Sequence, residues 1–387
     1  MKKICVITAT RAEYGLLKSL MTELRNEDLF QLQTLVTGAH LSPEFGLTYK
    51  QIEADGFAID EKVEMLLSAD TGISIVKSMG IGMIGYADVL SKLSPDAIVI
   101  LGDRYEMLAV ASSASALKIP IIHLHGGEIT EGAYDDSFRH AITKLSHLHF
   151  TSTDVYRERV IQMGEQPHNV HNVGAIGIDN ILQLPLISKQ ELEDTLNIKF
   201  KKYNYQVTFH PETLSDISVE EQFQILLNSI EKQKDSFFVF TKSNADTDGR
   251  IINQMIDHFV STHKDITAAF TSLGNLRFLS VLKVCNAIIG NSSSGIIEAP
   301  SLKIATINIG NRQKGRIQAS SIINVEVDED QISQAIQKTQ NIQFIDTLKK
   351  VNNPNGNGNT TSKIINIIKN VDLKSLVIKK FYDQKHS

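Results

Sequence analysis

The chain has 387 residues, of which 42% are hydrophobic and 21% charged, with a formal net charge of −5. That length fits two or three domains, and the composition is that of an ordinary globular protein. The balance is mildly acidic and no basic block stands out, so nucleic-acid binding has no electrostatic support.

The two cysteines, Cys5 and Cys285, each lie in an apolar run and read as buried small hydrophobes in a reducing, cytoplasmic setting. The opening Met1-Lys2-Lys3 reaches Arg11 and Glu13 too soon for a signal peptide. No apolar stretch of membrane-spanning length is expected, hence no membrane partner.

Lys3–Ala9 reads as a first strand, and Thr10-Arg11-Ala12-Glu13-Tyr14-Gly15 turns into a helix ending near Arg25. Arg11 opens that helix, where its charge adds to the positive helix end in attracting an anion. Gln31–Thr37 is a second strand, ending at Gly38-Ala39-His40, and a short strand is expected near Ala58. A long helix from about Thr71 to Leu93 follows. It contains Gly80-Ile81-Gly82-Met83-Ile84-Gly85, which matches the dinucleotide fingerprint in letters only. The fingerprint must follow a strand and open a helix. Inside a helix, glycines at this spacing instead allow close packing.

The next stretch is the most informative. Ala97–Leu101 is a buried strand that stops at Gly102-Asp103-Arg104-Tyr105-Glu106. Ile119–His123 is another, followed by His125-Gly126-Gly127-Glu128 and a loop carrying Asp135-Asp136. Function in open parallel sheets sits beyond the carboxyl ends of strands. Asp103, Arg104, His125 and Glu128 are therefore expected at one edge, a set suited to acid/base chemistry on an anionic substrate. A helix from about Ser137 to Leu145 follows, then a strand His147–Ser152 and a helix to about Met163. Strands alternating with helices imply right-handed β-α-β units and a doubly wound sheet.

The second half repeats this style. Strands are expected at Tyr205–Phe209, ending at His210-Pro211-Glu212, and at Ser236–Thr241, Thr267–Phe270, Ala287–Gly290 and Lys303–Ile309. Asn291-Ser292-Ser293-Ser294-Gly295 opens a helix through Glu298. Its amides and hydroxyls can surround a phosphate, Glu298 can accept two ribose hydroxyls, and Arg312 can add a charge. Asn244-x-Asp246-x-Asp248 begins like a calcium loop, but the closing glutamate position is Met255. His123-x-His125 and His147-x-His149 lack an evident third ligand, so no metal is expected. Asn352–Asn359 is a polar linker before a final helix, Thr360–Asn370.

These motifs, in this order, resemble the hydrolysing UDP-N-acetylglucosamine 2-epimerases of sialic acid synthesis. The resemblance rests on Thr10–Tyr14, Gly102–Glu106, His125–Glu128, Asp135-Asp136-Ser137-Phe138-Arg139-His140, His210-Pro211 and Gly290–Gly295. It implies two Rossmann-like domains of GT-B-like architecture with a cleft between them. Residues 1–176 would be the acid/base domain and 177–359 the UDP-binding domain, with 360–387 returning to the first. It further implies catalytic roles for Asp103, Asp135, Asp136 and His210. Arg11, Arg104, Ser292, Ser293, Glu298 and Arg312 would hold UDP, joined in the substrate-binding set by Ala12, His40, His125, Arg139, Ser294 and Gly295. Some relatives carry a glutamate where this chain has His125. Either Glu128 or His125 fills that role, or a group elsewhere does, and Glu128 is the expected acting carboxylate.

The implied reaction converts UDP-N-acetylglucosamine and water to N-acetylmannosamine and UDP, through elimination to a 2-acetamidoglucal and hydration. It needs no cofactor. The same resemblance allows a UDP-2,4-diacetamido-6-deoxy sugar as substrate, a non-hydrolysing epimerase, a glycosyltransferase, or a sugar-nucleotide-binding protein without turnover. A homodimer is the family expectation.

Overall fold

The computed structural model describes residues 1–67, 71–129, 135–212, 217–243 and 249–384. The chain divides into two compact units. The first comprises Met1–Glu128, Asp135–Asn180 and the chain from Gly356 on; the second includes Ile181–Asn355.

The first unit is built on β1 (Lys2–Thr8), β2 (Phe30–Thr37), β3 (Glu61–Val63), β4 (Ala97–Leu101), β5 (Ile121–Leu124), β6 (Leu148–Thr151) and β7 (Val170–Asn172). The sheet order is β3-β2-β1-β4-β5-β6-β7, with every pairing parallel. Direction reverses between β1 and β4, which is the switch point of a doubly wound sheet. Both faces are covered, so the central strands are apolar throughout. Ile4 and Val6 of β1 join a core with Leu17, Leu20 and Met21 of the helix Arg11–Asn26. Cys5 and Ile7 point the other way, to Tyr86, Leu90 and Val110.

The C-terminal helix Thr360–Asn370 completes the first of these cores with Ile364, Ile365 and Ile368. Its ends are capped by distant residues. The Asp179 carboxylate accepts the N–H groups of Thr360 and Thr361 at 2.9 and 2.6 Å. Lys2 Nζ donates to the carbonyls of Ile368, Lys369 and Val371 at 2.8, 2.9 and 2.7 Å. A carboxylate at the N-terminus and an ammonium at the C-terminus both complement the helix dipole.

The second unit is built on β8 (Tyr203–Thr208), β9 (Ser236–Thr241), β10 (Thr267–Phe270), β11 (Ala287–Gly290), β12 (Ala305–Ile309) and β13 (Ile322–Val325). The order β10-β9-β8-β11-β12-β13 is again parallel and doubly wound, with its switch point between β8 and β11. The expected α/β class therefore holds for both halves.

Four sequence expectations are corrected. The short strand expected near Ala58 lies at Glu61–Val63, where it pairs with the end of β2. Asp135 and Asp136 are not on a loop but in the first turn of the helix Asp135–Leu145, where acidic side chains suit the helix dipole. The helix opened by Ser292 runs only from Ser293 to Ile297, because Pro300 follows and turns the chain into a 3-10 segment, Ala299–Leu302. The helix Gly72–Leu93 is long and apolar enough, by length and composition, to cross a membrane, since only Lys77, Asp88 and Lys92 interrupt it.

That helix lays Ser74, Ser78, Gly82, Tyr86 and Leu90 inward. A side chain at Gly85 would meet Val63 Cγ1 at 2.7 Å, and one at Gly82 would meet Met65 at 3.2 Å. Gly82 and Gly85 thus allow close approach to Met65 and Val63, whereas Gly80 has nothing within 4 Å. The calcium-like residues Asn244, Asp246 and Asp248 lie outside the described residues.

Candidate active site

In the first unit, polar residues gather at the carboxyl ends of β1, β4 and β5. Arg11 is the first residue of its helix. Thr10 caps that helix, accepting from the Glu13 amide at 3.3 Å, while Glu13 Oε2 accepts from the Ala9 and Thr10 amides at 2.9 and 3.0 Å. Burial pushes the Glu13 carboxyl up to about 7, against the pull of Arg104. Ala12 is exposed on the same first turn.

After β4, Arg104 donates through Nε and Nη2 to both oxygens of Glu106, at 3.1 Å each. Glu106 is fully buried, so this two-point pairing fixes the plane of a guanidinium that is itself partly exposed. Asp103 is gripped by Nη2 of Arg139, which comes from the helix Asp135–Leu145. Arg139 is 3% exposed. Burial disfavours its charge, but Asp103 and Glu128 outweigh that and hold its pKa above the ordinary value. Arg139 is therefore the buried member of the pair and Asp103 the partly exposed one. On the same helix, Asp136 reaches His140 Nε2 at 3.5 Å. Burial lowers the His140 pKa, and Asp136 opposes it.

Beyond β5, His125 takes a left-handed backbone, φ 65°, and its amide continues the ladder to the Phe150 carbonyl at 2.9 Å. His125 Nδ1 lies 2.9 Å from Glu128 Oε1, which also accepts from Ser152 Oγ at 3.1 Å. His40 is fully buried, with Nε2 3.0 Å from Thr8 Oγ1 and Nδ1 2.8 Å from Thr48 Oγ1. Burial holds it down to about 4, so it is a neutral support beneath β1 and β2. His123 and His149 are register partners across β5 and β6. His123 Nε2 lies 2.8 Å from the Gly102 carbonyl and His149 Nε2 3.0 Å from Glu165 Oε2.

In the second unit the switch point is stapled by Asn291. Its Oδ1 accepts from the His210 amide at 2.8 Å and its Nδ2 donates to the His210 carbonyl at 2.9 Å. The Asn291 carbonyl in turn accepts from Arg312 Nη1 at 3.2 Å and Gln313 Nε2 at 2.8 Å. His210 Nδ1 sits 3.2 Å from Ser243 Oγ. Gly290 has φ 132°, and a Cβ there would fall 2.0 Å from the Thr208 carbonyl oxygen. Only glycine lets β11 pass β8 this closely. Ser292 caps the short turn through the Ser294 amide, and Ser293, Ser294 and Gly295 follow in that turn. Burial pushes Glu298 up to about 7, and a hydrogen bond from Ser294 partly offsets it.

The fold thus groups Arg11, Asp103, Arg104, His125, Glu128 and Arg139 in the first unit. It groups His210, the serine turn, Glu298 and Arg312 in the second. Glu106 and Asn291 stand inside the motifs quoted from sequence but were given no role of their own there, and Ser152 and Ser243 were not singled out. Ser152 and Ser243 carry no such signal.

Two parallel sheets, each with polar residues at or beside its switch point, define the GT-B-like two-domain α/β class. The model of the UDP-N-acetylglucosamine 2-epimerase family matches residues 22–369, and the chain belongs to that family. It is 43% identical to a GDP/UDP-N,N'-diacetylbacillosamine 2-epimerase (hydrolyzing) of Campylobacter jejuni, over 99% of both chains. It is 42% identical to a polysialic acid biosynthesis protein of Escherichia coli, over 99% of this chain and 98% of the other. In fold it is similar to the UDP-GlcNAc 2-epimerase of Neisseria meningitidis bound to UDP-GlcNAc, with TM-score 0.80 at 17% identity, covering 96% and 100% of the two chains.

Proposed function

We propose that this chain is a hydrolysing 2-epimerase of a UDP-linked 2-acetamido sugar, and that the sugar is the 2,4-diacetamido-6-deoxy type. The observation that carries the substrate is the 43% identity to the Campylobacter jejuni enzyme over nearly the whole of both chains. UDP-N-acetylglucosamine is the second reading, favoured by the 42% identity to the polysialic acid protein.

The site chemistry supports an elimination. The sugar's C2 hydrogen is not next to a carbonyl, so direct proton removal is slow. Stretching the C1–O bond to UDP builds positive charge at C1 and acidifies C2–H. Arg11 and Arg104 of the first unit, and Arg312 with the serine turn of the second, are the groups we assign to stabilising the departing diphosphate. Glu298 is the acceptor for ribose hydroxyls. Asp103, Asp135, Asp136, Glu128 and His210 are the acid/base set, with Asp103 oriented by Arg139. The chemistry draws on side chains alone and uses no cofactor. Water then adds to C1 and a proton to C2 on the opposite face. The enzyme works in the cytoplasm, as a homodimer.

The test is release of UDP from a panel of UDP-sugars, with the sugar product identified. The diacetamido-6-deoxy sugar should give the highest kcat/KM. A preference for UDP-N-acetylglucosamine moves the substrate to the second reading, and UDP binding without turnover of any sugar removes catalysis.

A further inference from the structure

We propose that the outer face of the helix Gly72–Leu93 is where two copies of this chain pair, antiparallel, about a two-fold axis crossing the helix near residue 82. The inference rests on the homodimer of the proposed function and names its interface.

The helix turns Ser74, Ser78, Gly82, Tyr86 and Leu90 to the core. Its opposite face is not the polar face that such a helix ordinarily gives to water. Ile73 is 70% exposed, Val76 69% and Ile84 73%, and Ile81 and Met83 are exposed beside them. These side chains recur at helical spacing and form one stripe rather than scattered points. The exposed Leu67, whose amide donates to Ser78 Oγ at 3.1 Å, extends the apolar surface. A contiguous apolar surface of this kind marks an interaction site.

Gly80 says what kind of surface it is. Gly82 and Gly85 make room for Met65 and Val63, but nothing lies within 4 Å of a Cβ at Gly80. Glycine inside a helix is destabilising relative to alanine, and no close packing among the described residues offsets that at Gly80. It leaves a gap in the middle of the apolar stripe, open to a side chain from outside. Ile84, the most exposed side chain of the stripe, stands one turn further on. The face thus carries both a hole and a knob, as a self-complementary interface requires.

The charges give the direction. Of the three on this helix, Lys92 pairs with Glu61. Lys77 and Asp88 are exposed and enter no ion pair among the described residues. The midpoint between Gly80 and Ile84 is residue 82, and that between Lys77 and Asp88 lies half a residue beyond. An antiparallel partner related by an axis at that point sets Ile84 into the gap at Gly80 and Lys77 against Asp88, twice each. A parallel partner would set like charges against each other. The same two charges weigh against a lipid bilayer as the occupant. The size also suits a second copy. The 22 residues make a helix about 33 Å long and 10–12 Å across, whose outer half presents roughly 600 Å². With Leu67 at its flank, that approaches the ~800 Å² per partner of a stable interface.

The test is the oligomeric state of the whole chain by analytical ultracentrifugation. The wild type should be a dimer at micromolar concentration. Gly80→Leu fills the gap with no atom of its own chain in the way of its Cβ. It should keep the helical circular dichroism yet raise the dimer Kd at least about 100-fold, as should Ile84→Asp. Lys77→Glu and Asp88→Lys should each weaken the dimer, and the double variant should restore it. A double variant weaker than either single one overturns the antiparallel arrangement. A dimer that Gly80→Leu and Ile84→Asp leave intact overturns the interface alone. A monomeric wild type overturns the interface and the homodimer together; one that floats with phosphatidylcholine–phosphatidylglycerol vesicles gives the face to a membrane instead. UDP-sugar turnover is read separately. A dimer split by these variants supports the interface whether or not any UDP-sugar is converted, and absence of turnover in the wild type removes the proposed activity alone.

Discussion

Arg139 reaches back from the first turns of its helix to hold the carboxylate of Asp103 at the end of the neighbouring strand β4. The arginine is buried and the aspartate's side chain is 24% exposed. A guanidinium taken out of water needs a counter-charge, and Asp103 supplies it while facing outward. The pair therefore fixes the one partner that can meet substrate.

Asp103→Asn keeps the shape and removes the charge. We expect kcat to fall by roughly 100-fold or more, with UDP affinity nearly unchanged, since a proton-transfer group contributes on that scale. Wild-type turnover in steady-state UDP release would exclude Asp103 from the chemistry. Arg139→Ala should instead destabilise the protein, because it leaves Asp103 and the buried Glu128 without this counter-charge.

Glu298 offers a binding prediction with a pH sign. Its carboxyl is pushed up to about 7, and ribose hydroxyls are accepted best by the ionised form. UDP affinity should rise as pH goes from 6 to 8. Glu298→Gln should flatten the part of that rise that does not belong to the phosphate itself. Glu298→Ala should cost about 1.5–3 kcal/mol in titration calorimetry, the scale of a hydrogen bond to a charged group. Equal affinity of variant and wild type at pH 8 would place the ribose elsewhere.

Glu13 gives the corresponding prediction for stability. Its folded pKa is raised to about 7 by burial, above the unfolded value of 4.5. Between those values the folded state binds the extra proton, so this group makes stability fall as pH rises through that window. Glu13→Gln removes the term. Its urea midpoint should match wild type at pH 5 and exceed it at pH 8. A gap that instead widened toward pH 5 would show that the carboxylate is favoured in the fold.

How much of this was legible from sequence depended on range. The doubly wound class followed from buried apolar runs, and β9, β10 and β11 fall where those runs predict. β13 was missed because Ile322–Val325 is a short edge strand whose residues are only partly buried, so it lacks the signal of a central strand. Strand-end motifs located the polar clusters. They did not say which side chains face out. His40 and Arg139 carry the same letters as surface binders, yet lie beneath the site because Thr8, Thr48 and Asp103 are brought to them by the fold. The Asn291 staple on His210 joins residues 81 apart, a contact that local pattern cannot reveal.

Gly290 tests the second unit's switch point. A methyl group there meets the Thr208 carbonyl oxygen at 2.0 Å in a backbone that only glycine adopts readily. Gly290→Ala should cost at least about 4 kcal/mol by urea unfolding, or fail to fold, against the ~1 kcal/mol of an average substitution. A variant as stable as wild type would mean that β11 can move off β8 at little cost.

The last prediction concerns the bond that breaks. Simple glycosyl hydrolysis needs two carboxylates, and the proposed acid/base set is larger than that, with Asp103, Asp136 and His210 among its members. Elimination followed by hydration uses the surplus. In D₂O the product sugar should carry deuterium at C2, because the abstracted proton is replaced from solvent on the opposite face. In ¹⁸O water the label should enter the sugar at C1 and leave UDP unlabelled, because the C–O bond breaks rather than the P–O bond. Direct hydrolysis would retain the substrate's C2 configuration and its hydrogen. Attack at phosphorus would label the nucleotide. Mass spectrometry of early product, with the anomeric oxygen trapped before it exchanges, distinguishes the three. Retained hydrogen at C2 with unchanged configuration would exclude the elimination for this enzyme.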